Sequence, residues 1–215
     1  MSARERILAR IRSRQGKAAS ATGAEREAVR AHIAEHNQSP RPRADWDPVE
    51  RFCAEALRLE STVDRVETLE GVPVAVARYL RDGGLPLTAV CWDELADLPW
   101  SGAGLEILVR ETRDTDLVGI TGAFCAIAET GTLMTVSGPR TPAATSLLPE
   151  THVAVVRASR IVRAMEEAWA LVRRDAHPLP RAVSFISGPS RSADIEQTVT
   201  LGAHGPYRVH IIVVP

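Results

Sequence analysis

The chain has 215 residues, a formal net charge of -1, 45% hydrophobic and 25% charged residues. That length can bury a substantial core as one domain with an appended arm. The near-neutral balance offers no case for a nucleic-acid or membrane surface, and an aromatic content of only 4% argues against a base-stacking platform. No apolar run approaches the roughly 20 residues of a membrane-spanning helix, and the start lacks the apolar core of a secretory signal, so a cytoplasmic location is expected. Cys53, Cys91 and Cys125 are odd in number and far apart, which excludes a disulfide framework and a paired-cysteine metal or redox motif. Cys125 reads as a small buried hydrophobe.

In chain order, Ser2 to Arg14 is an amphipathic helix with Ile7, Leu8 and Ile11 on one face, Ser2 as cap and Glu5 three residues on. Its arginines read as a solvated face. A small, polar linker, Gly16 to Gly23, leads to a second helix over Ala24 to Gln38 with Val29 and Ile33 inward, and Ser39-Pro40-Arg41-Pro42 ends it. Residues 1–45 are therefore expected to be a helical arm and linker that packs on the body, residues 46–215, or on a neighbouring subunit, an arrangement that admits a homo-oligomer.

From Asp47 onward helix and strand alternate. A helix beginning at Pro48 carries Val49, Phe52, Ala56 and Leu57 on one face, followed by a strand at Ser61 to Val66 and a helix at Val72 to Leu80. Strands are expected at Leu87 to Trp92, Leu105 to Val109, Asp116 to Thr121, Leu133 to Val136 and His152 to Val156, and a helix at Ile161 to Arg173. The last stretch, Val183 to Pro215, reads as strand, tight turn, short helix, loop and strand. Together these predict an α/β fold with a mostly parallel sheet covered by helices on both faces.

Ser190, Ser192, Asp194 and Glu196 crowd the expected start of the short helix. There they could bind an anion through unpaired backbone N–H groups, or could simply cap the helix with Asp194. Arg191, between two serines, suits a carboxylate or phosphate. Glu129 lies ahead of Thr130-Gly131-Thr132 and reads either as a general base or nucleophile in a concave site or as a hydrogen-bonded structural carboxylate. His204, with Gly205 beside it, reads as a proton-transfer group or as a loop-packing histidine. No spacing supports a metal site, and no glycine-rich phosphate loop is present. The candidate site is thus Glu129 and His204 as catalytic groups. Thr130, Gly131, Thr132, Ser187, Gly188, Ser190, Arg191, Ser192, Asp194 and Gly205 would hold a small carboxylate or phosphate at the C-terminal edge of the sheet.

Three ordered motifs, Ala126-Ile127-Ala128-Glu129-Thr130-Gly131-Thr132-Leu133, Ser146-Leu147-Leu148-Pro149-Glu150-Thr151-His152-Val153, and Ser187-Gly188-Pro189-Ser190-Arg191-Ser192-Ala193-Asp194-Ile195-Glu196 with Gly202-Ala203-His204-Gly205-Pro206, resemble the LUD-domain family, and within it the lactate utilization protein C group. Ser192 stands where the family pattern has Thr, which keeps the hydroxyl. The resemblance implies a NagB/RpiA/CoA-transferase-like fold with ligands at the C-terminal strand ends. It also implies a protein of lactate utilization that acts with iron–sulfur partner subunits in the oxidation of L-lactate to pyruvate. The clusters would sit on those partners, with no cofactor bound by this chain. The alternative is a stand-alone acyl- or CoA-transferase-like or sugar-phosphate-isomerase-like enzyme using Glu129 and His204.

Overall fold

The structure, a computed structural model, describes residues 2–18, 20–176, 178–195, 198–202 and 204–215, with only the backbone of 193–195 and 198–200. It divides into two compact units, Met1–Arg43 and Ala44–Pro215. The first holds α1 (Ala3–Arg14) and α2 (Gly23–Glu35), each opened by a reciprocal cap between a hydroxyl residue and a glutamate three positions on, Ser2 with Glu5 and Thr22 with Glu25. Within this unit Val29 and Ile33 are 58% and 62% exposed, and Val29 lines a groove with Leu8 and Ile11 of α1.

The second unit runs α3 (Pro48–Arg58), β1 (Thr62–Arg65), α4 (Val72–Asp82), β2 (Thr88–Cys91), β3 (Glu106–Leu108), β4 (Val118–Gly122), β5 (Cys125–Ile127), β6 (Thr132–Val136), α5 (Ala144–Leu147), β7 (Thr151–Arg157), β8 (Ile161–Val162), α6 (Met165–Asp175), β9 (Val183–Ile186), β10 (Arg191–Ile195), β11 (Thr198–Leu201) and β12 (Arg208–Val214). Six strands form an all-parallel sheet in the order β1-β12-β7-β4-β2-β3. The expected α/β class with a parallel sheet is what the chain adopts. Its central strands are near-continuous apolar runs because both faces are covered. Alternate residues go to opposite sides: Val153, Val155, Ile212 and Val214 face one cluster, and Ala154, Val156, Ile211 and Val213 face the other.

The first face is covered by α4, which buries Val72, Val76 and Leu80. Asp47 caps α3 at the N–H groups of Val49 and Glu50, and α3 presses Phe52, Cys53 and Ala56 onto the second face, while Leu57 is 55% exposed. A four-stranded sheet, β8-β5-β6-β9, shares that second face with α3. α6 lies behind the second sheet, packing Ala168 and Val172 onto Cys125, Ile127 and Met134. The sequence reading has neither this sheet nor its β8. Ile161 and Val162 extend the helical pattern of the segment, yet they pair with Ala126 and Ile127 of β5, and the helix starts only at Met165. Among the described residues no helix is long and apolar enough to cross a membrane.

Candidate functional site

The motif residues gather around the C-terminal end of α3. Glu129-Thr130-Gly131 is the turn between the antiparallel β5 and β6, and Gly131 takes φ +63 there. A Cβ on Gly131 would sit 2.6 Å from the Ala56 nitrogen, so only glycine lets this turn lie on the helix. Glu129 is half-buried, and its backbone N–H donates to the Arg163 carbonyl at 3.0 Å. The Thr132 hydroxyl bonds the hydroxyls of Thr130 and Ser187, each at 2.7 Å, which joins the first motif to the third. Gly188, at φ +80, presses against the Leu59 carbonyl.

Ser190 binds the last loop. Its N–H donates to the Pro206 carbonyl and its own carbonyl accepts from Gly202, both at 2.9 Å, while its hydroxyl accepts from the His204 N–H at 3.3 Å. A Cβ on Gly205 would lie 3.4 Å from that of Ser190. The first and third motifs are therefore neighbours, and Leu148 and Glu150 of the second line one cleft with Gly202 and Gly205 of the third.

Two expectations are corrected here. Arg191 to Ile195 do not start a helix: they form β10, antiparallel to β11, with Arg191 opposite Leu201 and Ser192 opposite Thr200. In a hairpin the two strands bond each other's backbone, so the row of free N–H groups that a helix start would offer Ser190, Arg191, Ser192 and Asp194 does not exist. The overlooked signal is Thr198-Val199-Thr200-Leu201, a β-branched run of strand character. The side chain of Asp194 and the whole of Glu196 lie outside the described residues. Arg191 forms an ion pair with Glu60.

The second correction concerns the edge. His204, Gly205 and Pro206 lead through Tyr207 into Arg208, the first residue of β12, so this part of the third motif lies at the N-terminal edge of the parallel sheet rather than at its C-terminal edge.

At the C-terminal edge there is a different cleft, of about 460 Å³. β4 ends in Gly122, β7 in Arg157 and β12 in Val214, and these with Val155 form its floor. Leu69 and Leu95 come from short turns before α4 and after β2, and Phe124 and Arg160 close the far side. Glu94 stands on the rim. As a residue it is exposed, but its carboxyl tip packs so closely on Gly122 that any Cβ there would collide with it. Loss of water around that tip raises the Glu94 carboxyl above its ordinary value, opposed by Arg140, by Arg157 and by the Gly122 N–H.

The cations differ in what they already hold. Arg160 donates to the Phe124 carbonyl at 2.9 Å and to Asp175 at 2.8 Å, with its guanidinium over the Phe124 ring. Arg140 pairs with Asp93 at 3.3 Å. Arg157 is exposed, and among the described residues no carboxylate pairs with it. The cleft thus combines one available guanidinium, one carboxyl whose proton is held more tightly than usual, and apolar walls, at the strand ends where open parallel sheets place ligands. Sequence reasoning missed Glu94 because a glutamate in a short helical turn has no motif. Gly122, the glycine it needs, is separated from it by 28 residues of chain. Among the described residues no group of three or more His, Cys, Asp or Glu side chains is placed to hold a metal ion.

Comparison with known proteins assigns the chain. The LUD domain model matches residues 97–214, a stretch that contains Gly122, Arg157 and Arg160 and begins just after Glu94. Lactate utilization protein C of Halalkalibacterium halodurans is 35% identical over 165 residues, 73% of this chain and 69% of that protein. The protein of the same name from Bacillus licheniformis is 37% identical over 118 residues, 54% of this chain, and the match spans only about half, 49%, of its length. A crystal structure of a DUF162 family protein from Deinococcus radiodurans superposes with a TM-score of 0.59 at 24% identity, covering 82% of this chain and 100% of that one, which supports the fold alone. With the family model covering more than half of its residues, the chain belongs to the LUD-domain family.

Proposed function

We propose that this protein serves in lactate utilization, acting with iron–sulfur partner subunits in the oxidation of L-lactate to pyruvate and carrying no cluster of its own. The observation that supports this reading is the match to proteins named lactate utilization protein C, one of which is covered over 69% of its length. Electron transfer would then fall to the partners, and this chain would contribute substrate binding or an interface. The cleft at the C-terminal strand ends suits a small carboxylate, because a guanidinium fork matches a carboxylate and the walls suit a short carbon chain.

The test is a lactate oxidation assay on the complex pulled down from native cells, with this subunit present and with it removed. Lactate oxidation should fall when the chain is absent and return when it is added back. Turnover by the partners at an undiminished rate would overturn the proposal.

A further inference from the structure

We propose that the cleft between Glu94, Gly122 and Arg157 takes up a small monocarboxylate together with one proton. Arg157 would hold the anion and the Glu94 carboxyl would accept the proton. This deepens the functional reading above and rests on it for the choice of ligand.

Charge counting leads to this stoichiometry. Arg157 is the cation of the cleft that has no carboxylate partner among the described residues: Arg140 pairs with Asp93, and Arg160 pairs with Asp175, which it shares with Arg174 outside the cleft lining. With Glu94 ionised, Arg157 and Glu94 cancel, and an incoming anion would bring a net negative charge into a cleft walled by Leu69, Leu95 and Phe124. Two carboxylates in one cavity push the weaker acid to take up a proton. Glu94 is that acid, since partial desolvation already makes its charged form the less favourable one. The Cys91 thiol is pushed up to about 12 by burial first and by the Glu94 charge second, and stays neutral. Of the other acids of that turn, Asp93 is occupied by Arg140 and Asp97 is not among the residues that line the cleft. With Glu94 protonated, the balance becomes one guanidinium to one carboxylate. A doubly charged phosphate would exceed it.

Gly122 makes the arrangement specific. The carboxyl tip of Glu94 reaches its seat only because the end of β4 carries no side chain, and the Gly122 N–H faces the same tip. A protonated Glu94 held there has a hydroxyl to donate toward the ligand, in the region that the Arg157 fork also reaches.

The experiment is calorimetric titration of the full chain with L-lactate, pyruvate and inorganic phosphate from about pH 5.5 to about pH 8. In that range lactate, pyruvate and arginine keep their charge. Two buffers of different ionisation enthalpy count the protons. Lactate or pyruvate should bind more tightly as the pH falls, approaching about tenfold per unit where one proton is taken up with the ligand. Glu94→Gln should bind with an affinity that no longer changes with pH, and Gly122→Ala, which displaces the same carboxyl, should do likewise. Arg157→Gln should lose about tenfold or more at every pH, the worth of a charged hydrogen bond. Lactate affinity that is flat with pH, pH dependence retained in Glu94→Gln, or absence of monocarboxylate binding would each overturn the proposal. Absence of binding alongside lactate oxidation that depends on the chain would remove this site and leave the functional reading standing. Proton-linked binding without any role in lactate oxidation would do the reverse.

Discussion

Gly188→Ala should be far more destabilising than an exposed turn substitution, because Gly188 combines two separable constraints. Its φ of +80 is a left-handed conformation, which costs a residue bearing a Cβ about 1–2 kcal/mol. An added Cβ would also run into the Leu59 carbonyl at the end of α3, and backbone cannot yield as a flexible side chain can. Forcing the β9–β10 turn away from α3 should add about 1–3 kcal/mol, the range for overpacking a close-fitting contact. The expected loss is about 2–5 kcal/mol. Gly84 isolates the first constraint: it has φ +61 and nothing within 4 Å of an added Cβ, so Gly84→Ala should cost about 1–2 kcal/mol only. Urea unfolding of both variants and the parent, with unchanged slopes, measures the difference. If Gly188→Ala costs no more than Gly84→Ala, the turn does not rest on the helix, and the reading of this motif as a packing seat is wrong.

Stability should also fall with acidification in the range set by His152. It is fully buried, bonded to the Thr121 hydroxyl at 2.8 Å, and desolvation lowers its pKa from 6.5 to about 4. Between those values the unfolded chain binds a proton that the folded chain refuses. The contribution is therefore whole above about pH 6.5, declines toward pH 4 and reaches about 3 kcal/mol in all. Urea unfolding across this range should show a reduced slope in His152→Gln, and an unchanged slope would assign the effect to other groups. Cys53, Cys91 and Cys125 are 7%, 3% and 0% exposed, and burial lifts the thiols of Cys91 and Cys125 to about 12, so none of the three should react with a thiol reagent until the protein unfolds. Rapid labelling of the native protein at any of them would contradict this burial.

The parts of this fold that could be read from the sequence are those whose partners are local or whose burial is uniform. α1 and α3 announce themselves through Ser2 with Glu5 and Asp47 with Pro48, because a cap and the groups it satisfies lie within four residues. β7 and β12 do so because a central parallel strand must be apolar on both faces. β5 and β8 were hidden by length: three and two residues carry no period, and they become strands only by pairing, β8 with β5 and β5 also with β6. The hairpin of β10 and β11 was hidden by composition, since serines and an aspartate favour helix caps and turns and are poor strand formers, so β10 becomes a strand through its pairing with β11.

The same distinction explains the site. The motifs stand out in sequence because their glycines and hydroxyls meet demanding local conditions, and the structure gives those conditions a mechanical content. Gly131 and Gly188 let two turns approach α3, and Thr132, Ser187 and Ser190 tie the turns together. A cleft at the strand ends has no such local trace. Glu94, Gly122 and Arg157 come from three elements separated by 28 and 35 positions, and each alone is an unremarkable residue at the end of a strand or in a turn. Parallel order brings them together, because β4 and β7 are neighbours in register, with Gly122 opposite Val155, and β2 lies on the other side of β4. The cleft therefore follows from sheet topology, while the motifs hold two turns against α3.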